Sequence, residues 1–179
     1  CSGDCCCIGG NGATNAGGNR AVKYGTTRDQ IYAIEVVTPT GQIAHLGKRL
    51  HKMTAGYPLE KIVIGSEGTL GIITRATVKL VRDAPLKTTV ALGYPTMADG
   101  ADAMPAILPF RPTACEGMDR RLADVVAERI GPDAVPDLPS GDAWLFIELV
   151  GDDADEIAGR AERLVEAAGA IEGWVVSDV

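Results

Sequence analysis

A glycine-rich stretch at residues 8–19 (IGGNGATNAGGN) most constrains what this chain can fold into. Five of its twelve residues are glycine, and the others are small or polar apart from Ile8. Such a segment cannot build a core, but its backbone can lie against a ligand and adopt positive φ at several positions. Successive N–H groups in such turns hold anionic oxygens, and Asn11, Thr14 and Asn15 add polar side chains. The stretch therefore predicts a loop that binds a phosphate or pyrophosphate, with a flexible loop as the alternative.

A second glycine-rich stretch, residues 65–74 (GSEGTLGIIT), leads directly into a predicted strand. Two such stretches in one small region favour a single extended ligand. A purely structural turn and strand is the alternative interpretation of this second stretch.

Three segments resemble motifs of the FAD-linked oxidases of the vanillyl-alcohol oxidase and PCMH type. They are IGGNGATNAGGNRAVKYGTTRD at 8–29, KMTAGYPLEKIVIGSEGTLGIITRATVKL at 52–80 and a weaker PTACEGMDR at 112–120. The closest likeness is to the branch with the glycolate oxidase FAD subunit, D-lactate dehydrogenase and D-2-hydroxyglutarate dehydrogenase. The likeness extends over the whole chain but covers only the middle of the family pattern. We therefore expect the chain to be a fragment.

The resemblance implies an α+β fold in two parts. Residues 1–83 would form the second lobe of a PCMH-type FAD-binding domain, and residues 84–179 would begin an α+β, ferredoxin-like substrate cap domain. The charge balance changes sign at this boundary: the first part carries ten Lys/Arg and six Asp/Glu, and the second carries seven and eighteen. Neither part shows the basic patch that nucleic-acid binding requires, so we expect no nucleic-acid partner.

The resemblance also implies that FAD is the cofactor and that both glycine-rich stretches contact it. The family commonly has Ser or Thr where Cys7 stands, and a branched apolar residue where Gly12 stands. Cys7 would donate a weaker hydrogen bond than a hydroxyl, and Gly12 would loosen the loop by about 0.5–1 kcal/mol of chain entropy. The implied cofactor-binding residues are Cys7, Gly9, Gly10, Asn11, Thr14, Asn15, Ala16, Gly17, Gly18, Gly25, Glu67, Gly68, Gly71, Ile72, Ile73 and Thr74.

Family likeness implies oxidation of a small 2-hydroxy acid, such as glycolate or D-lactate, to the 2-oxo acid by hydride transfer to flavin. The electron acceptor is not identified. A general base working near neutral pH would be a histidine, but neither His45 nor His51 lies in a family catalytic motif. We expect both to be structural or solvated, and we assign no catalytic or metal-binding residue. We also expect the isolated chain to be inactive and to bind FAD weakly.

The cysteines do not form a secreted disulfide framework, because four of the five lie in the first seven residues and Cys115 stands alone. Adjacent Cys5, Cys6 and Cys7 lack the two-residue spacing that lets thiolates converge on one metal. We expect them to be small buried or half-exposed residues in a reducing cytosol.

No run of about 18 apolar residues exists to span a membrane, and the first eight residues are not a signal peptide. The protein is therefore predicted to be cytoplasmic, with peripheral association with the inner membrane left open. A homodimer and a complex with other oxidase subunits are both compatible with the resemblance.

Hydrophobic periodicity predicts the remaining elements. The strand at 70–81 should place Ile72, Thr74 and Ala76 on one face and Ile73 on the other. The helix at 119–130 should bury Leu122, Val125, Val126 and Ile130, and the helix at 153–168 should bury Ile157, Ala161, Leu164, Val165 and Ala168. The other predicted elements are a hairpin of strands 31–38 and 42–46, helices 58–64 and 97–108, and strands 87–92, 113–118, 143–150 and 171–176.

Two rival functions are compatible with parts of the sequence. An NAD-dependent dehydrogenase would use Gly10, Asn11 and Gly12 in a Rossmann turn, but the third glycine falls too late, at Gly17, and the preceding residues are a poor strand. A non-catalytic FAD-binding or interaction module is the alternative from another class.

Overall fold

In a computed structural model, which describes residues 5–50 and 52–177, the chain divides into two compact units between Arg82 and Asp83. Each unit contains helices and one antiparallel sheet. The predicted α+β class is therefore confirmed.

The first unit is built on a three-stranded sheet of order β2-β1-β3, which buries Ile31, Ile34 and Val36 against Val63 and Ile64. The predicted hairpin and the predicted helix at 58–64 are both confirmed. The elements are α1 (Ile8–Thr14), α2 (Ala21–Tyr24), β1 (Ile31–Val37), β2 (Ile43–Gly47), α3 (Leu59–Val63) and β3 (Ile72–Val78).

The first glycine-rich stretch is a loop only in its second part, residues 15–19; the prediction of a loop is wrong for residues 8–14. Residues 8–14 form helix α1, and none of the five glycines of the stretch has positive φ. Its one left-handed residue is Asn15, which ends the helix at φ 50°. Glycine is a poor helix former, but α1 packs Gly12 against Ile73 and Ile31, so tertiary contacts override local preference.

Strand β3 is shorter than predicted, and its face assignment is wrong. Glu35 pairs with Arg75 whereas Val36 pairs with Ile73, so Thr74 is an extra residue in the ladder. Such a bulge changes which side chains share a face. As a result, Ile73 and Ala76 both pack against the core, although simple alternation places them on opposite faces.

The second unit is a four-stranded antiparallel sheet of order β5-β6-β4-β7 backed by helices, as predicted. Its core joins Val90 and Leu92 of the sheet to Ile157, Ala161 and Leu164 of one helix. The elements are β4 (Leu86–Tyr94), α4 (Met97–Ile107), β5 (Ala114–Asp119), α5 (Arg120–Arg129), β6 (Ala143–Gly151), α6 (Ala154–Ala167) and β7 (Glu172–Ser177).

Helix α6 buries the predicted stripe, but α5 does not. Leu122, Val125 and Ile130 are 51%, 45% and 76% exposed, and the buried residue of α5 is Ala123. At the start of α5, the Arg120 guanidinium stacks 4.8 Å from the Trp144 ring centroid and its Nε bonds to Asp142. The apolar stripe of α5 lies outside the core of the second unit, which is built from the sheet and other helices.

The solvent exposure of individual side chains tests the predictions for the cysteines and histidines. Cys5, Cys6 and Cys7 are exposed, so the prediction of buried or half-exposed residues is wrong for them; they precede α1 and do not join the sheet core. His45 is solvated, with Nδ1 3.7 Å from Glu35 Oε2, as expected. Cys1 and His51 lie outside the described residues.

Within the described part of the chain, no helix is both long and apolar enough to cross a membrane.

Because Leu164 is buried and Leu122 is half exposed, truncating them to alanine should reduce stability by different amounts. Leu164→Ala should lower the free energy of unfolding of the second unit by about 2–5 kcal/mol, because it opens a cavity in the core. Leu122→Ala should cost less than about 1 kcal/mol, because the side chain is half exposed. Urea unfolding followed by the fluorescence of Trp144 and Trp174 checks both. Equal losses would show that the α5 face is buried.

Tyr94 should make the second unit sensitive to alkali. Its hydroxyl donates to the Ala168 carbonyl at 3.0 Å, and burial raises the pKa of Tyr94 to about 12. The folded state therefore holds the phenolic proton more tightly than the unfolded chain. The stability that depends on this proton is complete below about pH 10 and is lost as the pH rises to about 12.

This loss should be smaller in Tyr94→Phe, as measured by denaturant unfolding between pH 9 and 12, a window chosen from the usual tyrosine pKa of about 10. The exposed Tyr57→Phe serves as the control and should keep the wild-type profile. Identical profiles for all three proteins would contradict the assignment to Tyr94.

Candidate functional site

The two glycine-rich stretches are joined by backbone hydrogen bonds. The Gly65 N–H donates to the Gly12 carbonyl at 3.0 Å, and the Glu67 N–H donates to the Ala13 carbonyl at 2.9 Å. The last carbonyl groups of a helix have no N–H donor within that helix, so they need donors from elsewhere. The second stretch provides them, so the structure places the two stretches side by side.

Glycine is required at two positions of the second stretch. Gly65 has φ +89°, and a Cβ atom there would lie 2.9 Å from Asn15 Cβ. Gly71 has φ +144°, and its Cβ would lie 2.7 Å from the Val37 carbonyl oxygen. These glycines let residues 65–71 pass close to α1 and β1.

Arg28, which lies in the turn at Thr27–Gln30, contacts the first stretch and the residue that precedes the second stretch. Its backbone N–H donates to Asn15 Oδ1 at 2.9 Å, and its Nη2 donates to the Ile64 carbonyl at 2.7 Å. Arg28 is not among the predicted cofactor-binding residues. It lies within the first family motif, but the contact to Ile64 spans 36 residues, and no local pattern reveals it.

Two lysines hold the same turn from the other side. The Lys61 ammonium donates to the carbonyls of Arg28 and Ile31, and the Lys79 ammonium donates to the Asp29 carbonyl. Burial lowers the pKa of Lys61, and the nearby Lys79 charge lowers it further. The bond from the Thr26 backbone N–H lowers the pKa of Asp29, which therefore stays charged as the cap of this turn.

One cavity, which we call the junction cavity, lies between the two stretches and has a volume of about 220 Å³. Its walls are backbone and small or aliphatic side chains. Six of the predicted cofactor-binding residues line it: Gly9, Gly10, Gly68, Gly71, Ile72 and Ile73.

A second cavity, which we call the turn cavity, has a volume of about 290 Å³ and lies beside the turn that follows α2. It is also lined by Tyr24, Thr26 and Gln30, which are not among the predicted cofactor-binding residues. Four predicted cofactor-binding residues line it: Asn11, Ala16, Gly18 and Gly25.

The other predicted residues line neither cavity, and most of them contact protein groups instead. Thr14 Oγ1 donates to the Gly10 carbonyl at 3.0 Å, and Thr74 Oγ1 donates to Glu35 Oε1 at 2.9 Å. Asn15 accepts the bond from Arg28 described above. The predicted residues outside both cavities are Cys7, Thr14, Asn15, Gly17, Glu67 and Thr74.

Three cavity-lining glycines are not explained by packing within the protein. A Cβ atom added at Gly9, Gly10 or Gly18 would meet no neighbouring group of the described residues within 4 Å, and none of the three has positive φ. Gly12 differs, because its Cβ would contact Ile73 and Ile31. Glycine at the three open positions leaves the backbone bare toward the cavities, which fits a ligand that lies directly against it.

The site therefore has the features of a binding surface. Its polar groups are backbone amides, hydroxyls, side-chain amides and the Arg20 guanidinium, which can orient a polar ligand by hydrogen bonds. Among residues 5–50 and 52–177, no group of three or more His, Cys, Asp or Glu side chains could hold a metal ion.

Comparison with known proteins agrees with this geometry. Residues 1–47 match the family described as "FAD binding domain", and residues 84–178 match "FAD linked oxidases, C-terminal domain". D-lactate dehydrogenase of Anaerostipes hadrus is 37% identical over 92% of this chain and 36% of its own length. Glycolate oxidase subunit GlcD of Bacillus subtilis is 42% identical over 80% of this chain and 30% of its own length.

A solved structure of alkyldihydroxyacetonephosphate synthase matches 94% of this chain and 33% of its own with a TM-score of 0.67 at 24% identity, which supports the fold. The chain spans less than two fifths of the length of these relatives. The family resemblance predicted from the sequence is confirmed, and so is FAD as the cofactor of that family. Because the C-terminal domain match covers more than half of the chain, the chain belongs to the FAD-linked oxidases.

Proposed function

We propose that this chain forms part of an FAD-dependent dehydrogenase or oxidase that converts a small 2-hydroxy acid, such as glycolate or D-lactate, to the 2-oxo acid. The observation that carries the proposal is the set of three glycines, Gly9, Gly10 and Gly18, that leave two cavities lined by bare backbone. Glycine in a helix costs about 1 kcal/mol relative to alanine. A ligand that needs close access to the backbone explains why α1 keeps two of them.

The substrate class rests on the relatives. Those described above are named D-lactate dehydrogenase and glycolate oxidase subunit, and both names refer to 2-hydroxy acids. Residues 1–83 carry a net charge of +4, which favours an anionic cofactor and an anionic substrate.

We assign residues 1–83 to the second lobe of the FAD-binding domain and residues 84–179 to the beginning of the substrate cap. The junction cavity and the turn cavity would hold parts of the FAD, and the remaining predicted residues would support their walls. The enzyme would act in the cytoplasm, pass electrons to a separate acceptor and assemble as a homodimer or with other oxidase subunits.

Bound FAD would supply the ring that accepts the hydride. The residues of this chain would bind and orient the cofactor. Gly9 and Gly10 would let it approach α1, and the N–H groups in the first turn of α1, which have no acceptor within a helix, can donate to its oxygens. Asn11 would contact it from the turn cavity. Proton removal from the substrate is assigned to no residue of this chain.

An absorption spectrum of the full-length protein, purified without added flavin, tests the proposal. We expect flavin bands at about one FAD per chain, bleached by D-2-hydroxy acids, because the substrate would reduce the bound flavin. Flavin bands that no 2-hydroxy acid bleaches would favour a non-catalytic FAD-binding module. A colourless protein that takes up no FAD on titration would contradict the proposal.

Two substitutions of Gly10 should affect different properties: alanine should raise stability, and valine should lower FAD affinity. In the full-length protein without cofactor, Gly10→Ala should raise the free energy of unfolding by about 0.5–1 kcal/mol, because alanine favours the helix and finds open space. Gly10→Val should weaken FAD binding at least about tenfold, because its side chain would fill part of the junction cavity.

Gly159→Ala in α6 is the matched control: it replaces another helical glycine but lines neither cavity. It should leave the FAD dissociation constant unchanged, as measured by flavin fluorescence. Wild-type FAD affinity in Gly10→Val would exclude the junction cavity as a flavin site.

A further inference from the structure

We propose that the first unit contains a separate binding site for a small organic anion, meaning a carboxylate or phosphate attached to an apolar group. The site is a third cavity, which we call the basic cavity. Its volume is about 620 Å³, larger than the junction and turn cavities and within the usual range for small-molecule sites. The inference does not depend on flavin binding.

The walls of the basic cavity carry two cationic side chains, Arg49 and Lys79, and no carboxylate. Their neighbourhood along the chain is also basic: residues 36–59 include Lys48, Arg49 and Lys52 and contain no Asp or Glu, although the whole chain has a net charge of −7. A concave surface with charges of one sign attracts the opposite charge. The ligand should therefore be an anion.

A β-bulge places an aromatic ring in this cavity. Ile31 pairs with Val78 and Ala33 pairs with Thr77, so Tyr32 is the extra residue in β1. Bulges redirect side chains, and the Tyr32 ring lines the cavity with the Lys79 ammonium 5.2 Å from its centroid. Lys79 is also held by the Asp29 carbonyl, so one positive charge is fixed at the wall.

Two exposed leucines form the apolar part of the site. Leu80 is 92% exposed and Leu50 is 51% exposed, and both line the basic cavity. Covering such side chains is favourable in proportion to the apolar area removed from water. Cations next to exposed leucines fit a ligand with a charged head and an apolar body better than an inorganic ion.

The test is a titration of the full chain with sodium benzoate, followed by two-dimensional 1H–15N NMR. Benzoate should cause saturable shifts at the backbone amides of Tyr32, Leu50 and residues 77–80. Benzamide, which has the same shape without the charge, should bind at least about tenfold more weakly, because charge-assisted hydrogen bonds are about twice as strong as neutral ones.

Arg49→Gln should weaken benzoate binding at least about fivefold, because it removes one of the two charges. The neighbouring Lys48→Gln is the matched control; it removes the same charge outside the cavity and should leave binding within about twofold. Both residues are exposed, so neither change should alter the fold. Leu80→Ser should weaken the binding of benzoate but not the binding of acetate, which has no large apolar group.

Several outcomes would overturn the proposal. These are the absence of saturable shifts, equal binding of benzoate and benzamide, and equal losses in Arg49→Gln and Lys48→Gln, which would indicate diffuse surface charge. Shifts confined to Gly9 and Gly10 would place the anion in the junction cavity. Binding of an acidic peptide without binding of benzoate would identify a protein-docking surface instead.

Discussion

The bonds from the Gly65 and Glu67 N–H groups to the Gly12 and Ala13 carbonyls are the interactions on which the first unit depends. A seven-residue helix with three glycines has little stability of its own, because isolated helices this short are marginal even in alanine-rich sequences. The bonds satisfy carbonyls in the last turn of α1 and hold that end of the helix next to residues 65–67. They require that the chain pass close to Asn15 at Gly65, where no side chain fits. The junction cavity is a consequence of this close approach.

The sequence predicts the positions of most elements, because their apolar periodicity is strong and their burial follows it. Helix α6 is the clearest case: Asp153 caps it, its apolar stripe is buried and Gly169 follows it at φ +62°. The failures arise where a partner far along the chain decides the geometry. The bulges at Tyr32 and Thr74 depend on how β1 and β3 pair, and the exposure of the α5 stripe depends on which helices cover the sheet of the second unit. Alternation within one segment carries no information about either.

The sequence predicts which segments form the two cavities of the candidate site, but not the backbone conformation of those segments. Family motifs identified both glycine-rich stretches, and ten of the predicted residues line the junction or turn cavity. The predicted mechanism of binding was a loop of positive-φ glycines, whereas the structure has a glycine-containing helix with an open face. Composition cannot distinguish these two structures, because glycine allows both positive φ in a loop and close approach of a ligand to a helix backbone. Arg28 and Lys61 were missed for a related reason, since both act through backbone carbonyls that have no sequence signature.

The open glycines of α1 and the positive charges around it reflect one constraint. A helix that leaves its backbone bare for a ligand loses side-chain packing on that face and must be held from elsewhere. Besides the Gly65 and Glu67 N–H groups, cations give this support: Arg28 binds the Ile64 carbonyl, and Lys61 and Lys79 bind carbonyls of the turn that contacts Asn15 and Ala16. Burial and the nearby Lys79 charge lower the pKa of Lys61, and Asp29 lies close to both lysines as a counter-charge. The groups that stabilise the turn thus also create a field that favours anionic ligands.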